Sequence, residues 1–124
     1  MMPTGSATRE SDRITILVAE DDRELQELYE LLLSDEYDTI RAYNGKEAVD
    51  LFVSRRPDLI LMDIKMPVMT GAEAIRRILE IDPDARILAV TAYRHGTEEI
   101  GVPVLRKGFS VPEFLGHVRA TLAL

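Results

Sequence analysis

Short apolar runs alternate with stretches of helical periodicity along nearly the whole chain, and few architectures accept that pattern. Ile14 to Ala19 is an apolar run broken only by Thr15, as expected of a strand covered on both faces. Asp22 to Ser34 follows, with Leu25, Leu28, Tyr29, Leu31 and Leu32 at helical spacing. Tyr37 to Ala42 reads as a weaker strand, and Asn44-Gly45 marks a turn. Lys46 to Arg55 carries Ala48, Val49, Leu51 and Phe52 as a second helix, stopped before Pro57. Leu59 to Met62 is a third strand and Lys65 to Gly71 a loop. Ala72 to Ile81, with Ile75, Ile78 and Leu79, is a third helix ended by Asp82-Pro83. Ile87 to Val90 and Val102 to Leu105 are the last two strands. Val111 to Leu122 is the last helix, with Phe114, Leu115, Val118 and Leu122 on one side. Between those two strands, Tyr93 to Gly101 holds two glycines and few apolar residues. That predicts a shortened or irregular fourth helix.

Strict β-α alternation implies a parallel sheet with helices on both faces and right-handed crossovers. Five strands at this spacing predict an α/β, flavodoxin-like, doubly wound sheet of order 2-1-3-4-5, with its switch point between strands 1 and 3. Length fits one domain with a core of its own. Residues 1–13, rich in Thr, Ser, Gly and alternating charge, read as a disordered tail, and 14–124 as the folded domain. No linker, repeat or second domain is visible.

Four of the five strands of this sheet stop near a polar residue. The first ends at Glu20-Asp21-Asp22, the third at Asp63, the fourth at Thr91, and the fifth, one residue on, at Lys107. Ligands of open α/β sheets bind outside the carboxyl ends of the strands. Acids, a hydroxyl and an ammonium therefore converge on the edge where chemistry is expected.

Several ligand classes are excluded. Nucleotide phosphates sit on helix N-termini reached through Gly-rich loops, but here three carboxylates follow strand 1 and GxGxxG is absent. Gly96 and Gly101 have the outer spacing of a P-loop, yet Val102-Pro103 stands where Lys-Ser/Thr is needed. A net charge of −7 argues against a direct nucleic-acid interface. No apolar stretch approaches the ~20 residues of a membrane helix. Without cysteine there is no disulfide, thiolate metal site or thiol nucleophile, which fits a reducing cytosol.

A hard cation reverses the electrostatics. Mg²⁺ takes oxygen ligands at about 2.0–2.1 Å and is typically held by a few carboxylates plus a phosphate. Asp21 and Asp63 can supply carboxylates, with Glu20 acting through water. Lys107 and the Thr91 hydroxyl can then neutralise a phosphoryl group, and an Asp carboxylate is a covalent phosphoryl acceptor. The residues alone point to metal-assisted phosphorylation of Asp63. Plainer roles fit other residues. Asp22 reads as a helix cap, His95 and His117 as surface residues, and Met62, Met66 and Met69 as packing residues.

The pattern Ile16-Leu17-Val18-Ala19-Glu20-Asp21-Asp22, with Asp58 to Pro67, Gly71, Ala89-Val90-Thr91-Ala92 and Arg106-Lys107, resembles a response-regulator receiver domain of two-component signalling. The resemblance runs from Ile14 to the C-terminus. It implies Asp63 as phosphoacceptor and Asp21 as direct metal ligand, with Glu20 as the second acid. It also implies the Lys65 backbone carbonyl as a main-chain ligand to Mg²⁺, Thr91 as the mobile hydroxyl and Lys107 as the cation of the site. It further implies a cytoplasmic stand-alone module, not an enzyme on other substrates, that takes phosphoryl groups from a sensor histidine kinase or phosphotransfer protein. Output would then pass to a downstream protein target, without nucleic-acid contact or membrane insertion.

Three positions depart from the family pattern. Gly108 follows Lys107 where Pro is common, Val104 stands where an aromatic is usual, and the stretch from Thr91 to Lys107 is short. Val104 and the short stretch motivate an alternative, a receiver-fold binding module that signals without phosphate. A phosphatase or phosphotransferase working through an aspartyl phosphate is a third reading. It is weakened by Lys65, which occupies the place of the second acid such enzymes use.

Overall fold

The computed structural model describes residues 13–92 and 100–124. Their elements are β1 (Thr15–Ala19), α1 (Arg23–Leu33), β2 (Asp38–Ala42), α2 (Gly45–Arg55), β3 (Leu59–Asp63), α3 (Gly71–Ile81), β4 (Ile87–Thr91), β5 (Val104–Arg106) and α4 (Val111–Leu122). The five strands pair in parallel in the order β2-β1-β3-β4-β5, as the alternation predicts. The expected irregular helix between β4 and β5 falls largely on 93–99, and the expected tail, 1–13, falls on 1–12 except for Arg13, which is described and hydrogen-bonds to Tyr37 O. Both ranges, 93–99 and 1–12, lie outside the described residues.

Side chains alternate across the sheet and build two cores. Leu17, Ile60, Met62, Ile87 and Ala89 pack beneath α2 and α3 with Ala48, Phe52, Ile75 and Ile78. Ile16, Val18, Leu59, Leu61, Leu88, Val90 and Leu105 pack on the other face with Tyr29, Leu33, Phe114 and Val118. The methionines behave as packing residues: Met62 and Met66 are buried, and Met69 packs against the first core. His117 is exposed. No helix among the described residues is long and apolar enough to cross a membrane.

Each helix begins on a side-chain cap. Asp22 accepts from the N–H groups of Glu24 and Leu25, the role expected of it. Asn44 and Thr70 accept from Glu47 and Glu73. Ser110 and Glu113 form a reciprocal capping box.

Two sequence expectations shift. β5 begins at Val104, because Pro103 has no N–H to give the ladder and contributes only its carbonyl, which accepts from Ala89 N at 2.9 Å. α1 buries only part of its expected stripe: Tyr29 is buried and Leu25 and Leu32 pack against the second core. Leu28 and Leu31 are exposed, at 44% and 71%, while Gln26, Tyr29 and Leu33 face inward.

Candidate functional site

The carboxyl ends of β1, β3 and β4 and the residue after β5 enclose a cleft of about 350 Å³, lined by Glu20, Asp21, Asp22, Leu25, Asp63, Lys65, Thr91, Ala92 and Lys107. Every side chain that the sequence singled out for the site therefore reaches one place. Glu20, Asp21 and Asp63 each bring a carboxylate oxygen within 4.8 Å of the others. The Lys107 ammonium stands 3.5 Å from Asp63 Oδ1 and 3.7 Å from Glu20 Oε1. Thr91 is buried at the end of β4, and its carbonyl accepts from Lys107 N at 2.8 Å, tying the cation to the strand that carries the hydroxyl.

Depth gives these charges their character. Glu20 and Asp63 are 1% and 6% exposed, whereas Asp21 is open to solvent. Burial raises the Glu20 carboxyl to about 7, with further upward pressure from the Asp63 charge and a hydrogen bond with Asp21. The Asp22 N–H and Lys107 oppose that rise. Burial also raises Asp63, against the pull of Lys107 and a hydrogen bond from Glu20. Desolvation and the charge of the same two acids raise the Tyr29 hydroxyl on α1.

These residues fit a hard divalent cation. Glu20 Oε2 accepts from Asp22 N at 3.0 Å, but the buried Glu20 Oε1 has no hydrogen-bond donor among the described residues. An octahedral ion with bonds of about 2.1 Å holds its oxygens roughly 3 to 4 Å apart. The three carboxylates need only a small closure to meet that spacing. One lysine leaves three acids short of balance, and a divalent charge supplies the remainder.

The loop after β3 is pinned around this cleft. Gly71 N donates to Ile64 O at 2.7 Å, and Gly45 N, at the start of α2, donates to Met69 O at 3.0 Å. Both glycines are required by contact. A Cβ on Gly71 would lie 2.0 Å from Asp63 O, and one on Gly45 would lie 2.3 Å from Met69 O. Between them Val68, 79% exposed, takes φ +68, a left-handed conformation that is strained for a β-branched residue. On the far side, Gly108 after Lys107 has φ +96. The glycine there supplies backbone freedom, and no cis peptide occurs among the described residues.

One site-supporting residue is not among those picked from the sequence. Gln26 is fully buried, and its Nε2 donates to Val18 O, Glu20 O and Ala42 O at 2.8, 3.1 and 2.7 Å. Leucines at helical spacing mask it. The spacing of Gln26, Tyr29 and Leu33, at i, i+3 and i+7, is the available signal.

Comparison with known proteins bears on the same residues. Residues 16–110 match the family model described as the response regulator receiver domain. The chain is 38% identical over 103 residues to sporulation initiation phosphotransferase F of Bacillus subtilis, covering 78% of this chain and 83% of that protein. It is 34% identical over 118 residues to the polar-differentiation response regulator DivK of Brucella anthropi, covering 87% and 95%. It spans about half the length of other curated response regulators that it matches. Among solved structures, the response regulator TrrA of Thermotoga maritima, in complex with Mg²⁺-BeF, superposes with a TM-score of 0.81. Identity is 31%, over 87% of this chain and 98% of that one.

Proposed function

Because this chain belongs to the response regulator receiver domain family of two-component signalling, we propose that Asp63 is its phosphoacceptor. A carboxylate oxygen of Asp63 attacks phosphorus in the phosphohistidine of a sensor kinase or phosphotransfer protein. The new bond is P–O and the broken bond is P–N. The electron pair leaves with the imidazole nitrogen, which takes up a proton. Lys107 turns from the carboxylates to a phosphoryl oxygen, and the Thr91 hydroxyl donates to another, so both act on charge that grows in the transition state. Glu20, Asp21, Asp63 and the Lys65 carbonyl would hold Mg²⁺, whose charge makes an incoming phosphate tolerable beside acids.

The observation that carries this reading is the Lys107 ammonium 3.5 Å from Asp63 inside a triad of converging carboxylates. The added phosphate brings about −1.5 to −2 charges. The chain acts as a signalling module in the cytoplasm, handing that change to a downstream protein; its chemistry is confined to its own aspartate. Acetyl phosphate with Mg²⁺ provides the test. The wild type should gain one phosphoryl group by intact-mass spectrometry, and Asp63→Asn should gain none. Equal labelling of the two proteins would remove Asp63 from the mechanism.

A further inference from the structure

We propose that Gln26 is a positioning residue for the cation pocket: its side-chain amide fixes the peptide that joins Glu20 to Asp21 and so sets the spacing of their two carboxylates. The inference rests on the metal-dependent reading above. Glu20 O is the carbonyl of that peptide, and Gln26 Nε2 donates to it at 3.1 Å. The same nitrogen holds Val18 O, two residues back on β1, and Ala42 O, at the end of β2, at 2.8 and 2.7 Å. Ala42 O also accepts from Glu20 N at 3.0 Å. Glu20 is therefore gripped through both its amide nitrogen and its carbonyl, with β2 and α1 as anchors.

The orientation of the amide is unambiguous. Three carbonyl oxygens face one atom, so that atom must be the nitrogen; the oxygen there would meet three acceptors and no donor. Gln26 Oε1 instead has no hydrogen-bond partner among the described residues. A buried acceptor left unmatched is costly, whereas an aliphatic side chain here would avoid that cost. What the amide provides in return is control of the strand end that carries both acids. Groups that orient the ligands of a metal typically change its affinity about 10–100-fold when they are removed.

The test uses the full chain and Mg²⁺ alone as probe. Gln26→Met keeps the length and bulk of the side chain and removes the donors. Leu33→Ala, seven residues along the same helix and about 10 Å away, serves as a destabilised control because Leu33 is buried at the opposite end of α1. Mg²⁺ affinity is measured by amide chemical-shift titration, and acetyl phosphate labelling is measured against Mg²⁺ concentration. Gln26→Met should weaken Mg²⁺ about tenfold or more and raise the half-saturating metal for labelling by the same factor. Its rate at saturating metal should stay within about threefold of wild type. Leu33→Ala should lower thermal stability and leave the affinity unchanged. Affinity of Gln26→Met within twofold of wild type, or an equal loss in Leu33→Ala, would overturn the inference and leave the phosphoacceptor reading standing. A wild type that binds no Mg²⁺ would overturn both. If Gln26→Met does not fold, Gln26→Asn, whose amide is one methylene too short to reach the three carbonyls, is held to the same two outcomes.

Discussion

Replacing Glu20 by glutamine in the metal-free chain isolates the electrostatic cost of the pocket. Burial, the charge of Asp63 and the hydrogen bond with Asp21 carry the Glu20 carboxyl from an ordinary 4.5 to about 7, against the Asp22 N–H and Lys107. The gap, 7 − 4.5, is worth about 3 kcal/mol at roughly 1.4 kcal/mol per pH unit. Between pH 4.5 and 7 the folded chain keeps a proton that the unfolded chain has released. Stability is therefore complete below pH 4.5, falls as pH rises, and has lost that contribution above 7. Asp63, also raised, acts in the same direction. Glutamine removes the charge and keeps an oxygen for the Asp22 N–H, at the loss of some attraction to Lys107. Urea unfolding in chelator should find the two proteins nearly equal at pH 5 and the variant about 2–3 kcal/mol more stable at pH 8. Millimolar Mg²⁺ should then stabilise the wild type and do less for the variant. Wild-type stability that stays flat or rises from pH 5 to 8 without metal would refute the argument, as would a variant that gains nothing at pH 8.

Two further substitutions test the loop beside the pocket. Gly71→Ala places a methyl 2.0 Å from Asp63 O and 2.7 Å from Ile64 Cα, both backbone atoms. It should cost about 3 kcal/mol, the upper end for overpacking, by chemical denaturation, and slow acetyl phosphate labelling because the peptide of Asp63 must move. Val68→Asn relieves a β-branched residue at φ +68 and should stabilise the chain by about 1 kcal/mol; a variant no more stable than wild type would show that the loop carries no strain there.

The sheet order and the meeting of Glu20, Asp21, Asp63, Thr91 and Lys107 were legible because both follow from periodicity. Alternation prescribes parallel strands, and parallel strands bring their carboxyl ends together. What pattern could not supply was the facing of α1. Leu28 and Leu31 look like core residues by type, yet they stay exposed, while Gln26 turns inward and donates to carbonyls at the sheet end beside the packed Leu25, Tyr29 and Leu33. The fifth strand also shifted, since hydropathy does not register the missing N–H of Pro103. Nor does hydropathy reveal that Gly71 is demanded by contact with the backbone of Asp63.

The two-sided alternation of the sheet fixes how long its strands can be. Leu59 and Leu61 point into the layer that holds Tyr29 and Phe114, and Asp63 falls in step with them; Glu20 continues the count of Ile16 and Val18. Inserting one residue within β3 would swing Asp63 to the opposite layer, beneath α2 and α3. Inserting two would restore its facing but carry it about 7 Å past its partners. Loops of this domain can lengthen during evolution or engineering, whereas β3 can change in sequence but not in residue count without dismantling the pocket.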